Sequence, residues 1–340
     1  MKIAVVGCGA VGSYYGGRLV RAGENVHFLL RSDYEVVRRK GLFVRSTQGD
    51  FHVQPKCART PEEIGPSDLV LIALKTTANS EFPKLLPPLV GKQTAVLTLQ
   101  NGLGNEEQLA ELFRVDQIMG GLCFVCLNRT EPGVVHHIDH GQVIMGEFQR
   151  WPEPRTHDIA ARFRHAGIPC KVTANLAQTH WEKLVWNIPF NGLGVAGAAV
   201  SPDELMTTMP TVSSPSRSDR ESTVRQGRPL QNCLTTEQLL ADPKWEQVVR
   251  GLMTEVIAAA RAVGLDVSPA LAEKQIERTR TMGAYRASTL IDFERGQALE
   301  LRSLFLEPLR LAKKAGVSAP RLEALCRVLT HLDPVNVRKS

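Results

Sequence analysis

Lys183, Asn187 and Asn191 recur every fourth residue in the stretch "WEKLVWNIPFN", whose other members are mostly apolar. On a helix turning about 100° per residue, all three fall within about 80° of one another, on one face. An ammonium and two amides on a largely buried face cost desolvation unless something polar meets them. One reading is a wall for a polar ligand. The ammonium would hydrogen-bond a carbonyl oxygen and give it a proton as negative charge develops there. The amides would bond a hydroxyl or a carboxylate without adding charge. The other reading is structural: Lys183 extends its stem toward water while the asparagines satisfy backbone groups. Pro189 lies between Asn187 and Asn191, and an interior proline removes a backbone bond and kinks a helix. Asn191 is therefore the member expected to be displaced.

A second chemical signal opens the chain, "MKIAVVGCGAVGSYYGG". The apolar run at 3–6 suits a parallel strand buried on both faces. Gly7, Gly9 and Gly12 then give G-x-G-x-x-G, followed by a helical pattern over 10–22 and a second strand over 25–30. In a strand–helix–strand setting this fingerprint holds the pyrophosphate of a dinucleotide. Gly7 permits the tight turn, Gly9 lets the backbone approach the phosphates, and Gly12 allows close helix–strand packing. Cys8, a small filler, and Ala10 and Val11 complete the loop, whose unpaired N–H groups face the anion. Where an NAD-specific protein commonly carries Asp or Glu, at the end of the second strand, this chain has Arg31. A guanidinium matches a 2′-phosphate and offers a ribose hydroxyl pair little, so NADP is expected over NAD.

Further strands are expected at 69–73, 94–99 and 118–122, and an antiparallel hairpin at 134–138 and 142–146 around His140-Gly141. Beyond Val172 the strand pattern stops, and helices are expected at 174–200, 244–263, 269–283, 287–315 and 319–332. The fold class is thus an α/β Rossmann-type N-terminal domain (1–172) followed by an all-α C-terminal domain (173–335). A Ser-, Arg- and Pro-rich insertion at about 203–234 lacks the apolar content to order itself and is expected to be a mobile surface loop.

Net charge is +6 with 6% aromatic residues and scattered basic side chains. No basic stripe or stacking platform marks a nucleic-acid surface, and no apolar run reaches the roughly 20 residues of a membrane span. The strand pattern begins at Lys2 and leaves no room for an export signal, so a cytoplasmic protein with seven reduced cysteines is expected. Cys123 and Cys126 form C-x-x-C without a second pair at zinc spacing, and "HHIDH" (136–140) reads as a surface hairpin, so no metal site is expected. A homodimer stays open, since no oligomer signature stands out.

These segments together resemble the ketopantoate reductase (2-dehydropantoate 2-reductase) family. The likeness rests on "GCGAVG", "LIALKTTAN" with Lys75, "LQNGLG" with Asn101, "WEKLVWNIPFN", and "STLID" with Ser288 followed by Glu300. It implies an NADP-binding Rossmann domain, a helical domain related to that of 6-phosphogluconate dehydrogenase, and a small 2-oxoacid substrate held in a cleft between them. It implies reduction of 2-dehydropantoate to pantoate in pantothenate synthesis. The family's catalytic lysine aligns with Lys183 and its carboxylate with Glu300. Its substrate-binding residues align with Asn187, Asn191 and Ser288, and Lys75 and Asn101 match positions beside the cofactor and reaction centre. After Glu300 the family continues with an acidic residue and then Asn-Gly, where this chain has "LRSLFL". From the residues alone, Ser288 also suits a helix N-cap and Glu300 a solvated glutamate paired with Arg302. Two competitors stand beside the family activity: a paralogue reducing another 2-oxoacid, and a cofactor-binding redox sensor without turnover.

Overall fold

Successive residues of the first strand, β1 (Lys2–Val6), are buried in different cores. Ile3 and Val5 pack in one apolar cluster with Leu19, Phe28 and Val143, whereas Ala4 and Val6 pack in another with Ile64, Phe82 and Leu109. The same division recurs in β6 (Ser67–Ile72) and in β7 (Val90–Thr98), where Leu97 faces the first cluster and Val96 the second. Side chains alternate across a sheet, so a strand covered on both faces must be apolar at every position. That is why these strands read as unbroken hydrophobic runs.

The remaining strands are β2 (Asn25–Leu29), β3 (Leu42–Ser46), β4 (Phe51–Val53), β5 (Lys56–Ala58), β8 (Ile118–Glu131), β9 (Val134–Glu147) and β10 (Cys170–Val172). They form a ten-stranded sheet in the order β4-β3-β9-β8-β7-β6-β1-β2-β5, with β10 beside β9. From β8 to β5 all pairings are parallel. The chain leaves β1 to form β2 on one side and returns to form β6 on the other. This reversal creates a crevice at the carboxyl end of β1, where doubly wound sheets place their ligands. The Rossmann-type expectation is met.

The hairpin differs from expectation. Residues 134–147 are one continuous strand paired antiparallel with β8 across a turn at Pro132-Gly133, with no reversal at His140-Gly141. The register slips there, Phe124 pairing with Gln142 and Val125 with His140, and His140 adopts a left-handed backbone at φ 64°. Turn-forming residues were spent on a bulge, which has the same local conformation as a turn but lets the strand continue. His137 is buried against this bulge, stacked on Tyr14 at 4.5 Å and hydrogen-bonded to Ser46 Oγ at 2.8 Å. Its role is structural.

The model, computed from the sequence, describes residues 1–206 and 233–337, and divides the chain into two compact units, Met1–Thr179 and His180–Ser340. Most of the expected insertion lies outside the described residues. The second unit is helical among the described residues: Leu176–Ala196 enters it, followed by Pro202–Met206, Thr236–Ala241, Pro243–Ala262, Leu271–Arg280, Ser288–Glu294, Glu307–Lys314, Pro320–Leu332 and Pro334–Val337. No helix among the described residues is long and apolar enough to cross a membrane.

The expected helix over 287–315 is broken. Gly296, at φ 63°, ends the Ser288–Glu294 helix, Gln297 N–H returning to the Asp292 carbonyl at 2.9 Å. Helical structure resumes after Glu300, through a π-helical turn at Arg302–Leu306. The apolar periodicity on either side is helical, and a single glycine inside it gave little warning.

Glu255, 7% exposed within the Pro243–Ala262 helix, caps another helix from outside. Its carboxylate accepts from the backbone N–H groups of Arg321 (3.1 Å) and Leu322 (2.9 Å), at the start of the Pro320–Leu332 helix. Alanine here strands both donors in a buried setting. Glu255→Ala is expected to lower the unfolding free energy of this unit by about 2–3 kcal/mol, read by urea denaturation. A loss under about 1 kcal/mol would show that the two N–H groups find other acceptors.

Candidate active site

The glycine loop follows β1 directly. Gly7 has φ 97°, and a Cβ there would lie 2.4 Å from Leu74 N, so the turn presses on the backbone that follows β6. A Cβ at Gly12 would lie 2.3 Å from the Gly7 carbonyl oxygen, which ties the loop to the Ala10–Arg21 helix. Gly9 is the opposite case: a Cβ would meet nothing within 4 Å. Two glycines are explained by the protein's own atoms, and the third faces open space at the helix N-terminus. Neither a side-chain cap nor an acidic first-turn residue occupies that N-terminus. The amides of Ala10, Val11 and Gly12 and the positive end of the helix dipole thus fit an anion held against Gly9. Desolvation raises the Cys8 thiol above its ordinary range, so no thiolate opposes a phosphate there.

Arg31 is exposed just past the end of β2. Its acidic neighbour Asp33, only 4% exposed, is already engaged. The Asp33 carboxylate accepts from Arg129 Nη1 at 3.0 and 3.1 Å, from Gly133 N–H at 3.2 Å and from Ser32 Oγ at 2.8 Å. It fastens the β2 end to the β8–β9 turn. The carboxylate nearest to Arg31 in sequence is thereby occupied, while Arg31 itself is exposed.

Lys75 is exposed after β6 and precedes the short 3-10 turn Thr76–Glu81; Asn101, half-buried, follows β7. Lys75 follows the carboxyl end of β6, the neighbour of β1, and Asn101 that of β7, one strand further out. Asn79, Gln100 and Asn105 connect the two loops by side-chain hydrogen bonds, and the sequence reading did not single them out. Their weak signal was polarity next to the apolar ends of β6 and β7. Asn79 and Gln100 are 21 positions apart, so local spacing could not pair them.

In the helical unit, Leu176–Ala196 runs without a break through Pro189. Asn187 and Asn191 stay on one face, Asn191 Nδ2 donating to Asn187 Oδ1 at 3.5 Å. The missing proline N–H has not turned Asn191 away, and both asparagines are buried, at 6% and 3% exposure. Asn191 Oδ1 accepts from Thr289 N–H at 3.0 Å and Ser288 Oγ at 3.3 Å. Ser288 is therefore no N-cap. Ala287 holds that position, and Ser288 is the first helical residue. A backbone donor fixes the whole string: Asn191 must turn its oxygen to Thr289, hence its nitrogen to Asn187, which leaves Asn187 Nδ2 as the terminal donor. Lys183, half-buried, lies one turn earlier on the same face.

Glu300 is 4% exposed, while Arg302 is exposed. The expectation of a solvated surface glutamate fails: Glu300 lies buried between the break at Gly296 and the helical segment that follows. The Glu300 carbonyl accepts from Leu304 N–H at 3.2 Å, setting Glu300 at the beginning of the π-helical segment. Such segments recur at functional sites because they shift side chains out of α-helical register.

Residues 3–150 match the family model described as ketopantoate reductase PanE/ApbA, and residues 230–333 match its C-terminal counterpart. The chain belongs to the ketopantoate reductase family. A 2-dehydropantoate 2-reductase from Nostoc sp. is 37% identical over 341 residues, covering 98% of this chain and 96% of that protein. Among solved structures, 2-dehydropantoate 2-reductase from Geobacter metallireducens GS-15 shares 43% identity at a TM-score of 0.85, covering 97% of this chain and 99% of that one. The ternary structure of D-mandelate dehydrogenase with NADH and anilino(oxo)acetate superposes with a TM-score of 0.80 at 17% identity, over 99% of each chain. At that identity the likeness is one of fold alone. Family membership thus covers both units, including the helical one whose local motifs were individually weak.

Proposed function

We propose that this protein is an NADPH-dependent reductase that converts 2-dehydropantoate to pantoate, with residues 1–172 holding the cofactor and 173–335 supplying the substrate groups. The observation that carries the reading is the direction of the Asn187–Asn191–Ser288 string. Its buried hydrogen bonds leave an uncharged donor, Asn187 Nδ2, one helical turn from the Lys183 ammonium. That pair suits a 2-oxoacid, which offers a keto oxygen and an adjacent carboxylate. When bound, NADPH supplies the hydride. The Lys183 ammonium hydrogen-bonds the keto oxygen, stabilises the alkoxide as it forms, and transfers a proton to it. Asn187 holds the acid, while Asn191 and Ser288, bonded to each other, keep that amide aimed. Glu300 accepts a hydrogen bond from the substrate hydroxyl. The reading is supported by relatives named for this reaction, 37% and 43% identical.

Oxidation of NADPH on adding 2-dehydropantoate, followed by absorbance, tests the whole proposal. Turnover with 2-dehydropantoate well above that with other branched 2-oxoacids is expected. Preference for another oxoacid would favour the paralogue, and tight NADPH binding without turnover on any would favour a sensor. Arg31 tests the choice of cofactor separately. Its guanidinium would pair with the 2′-phosphate, a charge-assisted contact that NADH cannot make. Arg31→Ala is expected to weaken NADPH binding about tenfold and leave NADH binding nearly unchanged. Equal losses for both nucleotides, or none for either, would remove Arg31 from the assignment.

A further inference from the structure

The loops after β6 and β7 are joined by a chain of side-chain amides, and one backbone oxygen dictates its direction. The Asn101 carbonyl can only accept, so Asn105 turns Nδ2 toward it, at 3.1 Å. Asn105 Oδ1 is then an acceptor, and Asn79 Nδ2 donates to it at 3.0 Å and to Gln108 Oε1 at 3.2 Å. Asn79 Oδ1 in turn accepts from Gln100 Nε2 at 2.7 Å, and Gln100 Oε1 accepts from Thr98 Oγ1 at 2.9 Å. No amide in this series can flip alone without setting oxygen against oxygen. Thr98, Gln100 and Asn105 are 1%, 4% and 0% exposed and Asn79 is half-buried, so the inner members of the chain depend on one another rather than on water.

Ile72, Val96 and Leu109 belong to an apolar cluster on one face of the sheet. The amides instead link two pieces of irregular backbone at strand carboxyl ends: the 3-10 turn that Lys75 opens, and the bend that carries Asn101. Asn79 is the only member on the Lys75 side among these bonds, and it both donates and accepts.

We propose that this one-way amide chain is a positioning device for the nicotinamide cofactor, with Asn79 as the residue that sets the Lys75 turn against Asn101. The inference rests on the NADPH reading above. Asn79 is a positioning residue and acts through Lys75 and Asn101. Asn79→Asp keeps the shape and removes the donor, which confronts the oxygens of Asn105 and Gln108 with a carboxylate. Asn105 can relieve the clash only by flipping, and its oxygen then faces the Asn101 carbonyl.

The test uses the full-length protein, with NADPH affinity measured by fluorescence titration and folding by thermal melting. Asn79→Asp is expected to weaken NADPH binding about tenfold, and Gln100→Glu, which removes the donor of the preceding link, to do the same. Either variant serves if the other fails to fold. A role confined to loop stability would lower the melting temperature and leave NADPH affinity unchanged, and that result overturns the proposal. A double-mutant cycle of Asn79→Asp with Lys75→Ala adds a second readout. Losses in affinity that do not add are expected, because Asn79 works through the Lys75 turn, whereas additive losses overturn it. If the unaltered protein binds no NADPH, the functional reading itself falls, a failure distinct from wild-type binding that both variants retain.

Discussion

Lys183→Ala is expected to lower turnover on the order of a thousandfold while changing the dissociation constant of NADPH by less than about threefold. The two readouts separate because the proposed roles are separate. Cofactor affinity is assigned to the glycine loop and Arg31, and proton delivery to the helical residue. On the proposed mechanism, losing the ammonium removes the proton source and also the positive charge facing the developing alkoxide, an interaction made strongly only in the transition state. Most of the loss therefore falls on turnover. Lys183→Arg would keep the charge but not the acid, since a guanidinium does not give up its proton in the accessible range. It is expected to recover little. Stopped-flow measurement of hydride transfer in both variants checks this. Near-normal turnover in Lys183→Ala would eliminate the residue as the acid and return it to the reading in which its stem merely packs.

Glu300→Gln carries the second large effect. A buried carboxylate that accepts a hydrogen bond from a substrate hydroxyl contributes about 1.5–3 kcal/mol, roughly one to two orders of magnitude in kcat/KM. Glutamine keeps the shape and loses the charge. The decisive control is the substrate. Trimethylpyruvate has the carbon frame of 2-dehydropantoate without its hydroxyl, so it cannot make the contact in either protein. Glu300→Gln is expected to depress kcat/KM for 2-dehydropantoate about a hundredfold and to leave trimethylpyruvate nearly unaffected. Equal losses with both substrates would mean that Glu300 acts on something other than the hydroxyl, for instance by orienting Lys183.

The two effects differ in how legible their residues were. Lys183 announces itself through the four-residue spacing it shares with Asn187 and Asn191, and that spacing survives Pro189 because Asn191 remains bonded to Asn187 and Thr289. Glu300 has no such local signature. It lies buried just after the chain break at Gly296, and a lone glycine within a helical pattern is ambiguous in any sequence. The hairpin shows the same ambiguity, since His140 and Gly141 supply the backbone of a turn and were used for a bulge.

By itself the sequence determined the Rossmann-type class, the glycine loop and the polar stripe, because each depends on contacts between residues close along the chain or on a regular period. Only the tertiary structure decided which of those residues serve the protein's own packing. It showed that Gly7 and Gly12 are held by neighbouring backbone while Gly9 opens to space, and that Asp33 is consumed by Arg129. It joined Asn79 to Gln100 and Asn105, and Asn191 to Ser288. Hydrogen-bond direction passes through space from one fixed backbone group to the next, and no spacing along the chain encodes which residue that next one will be.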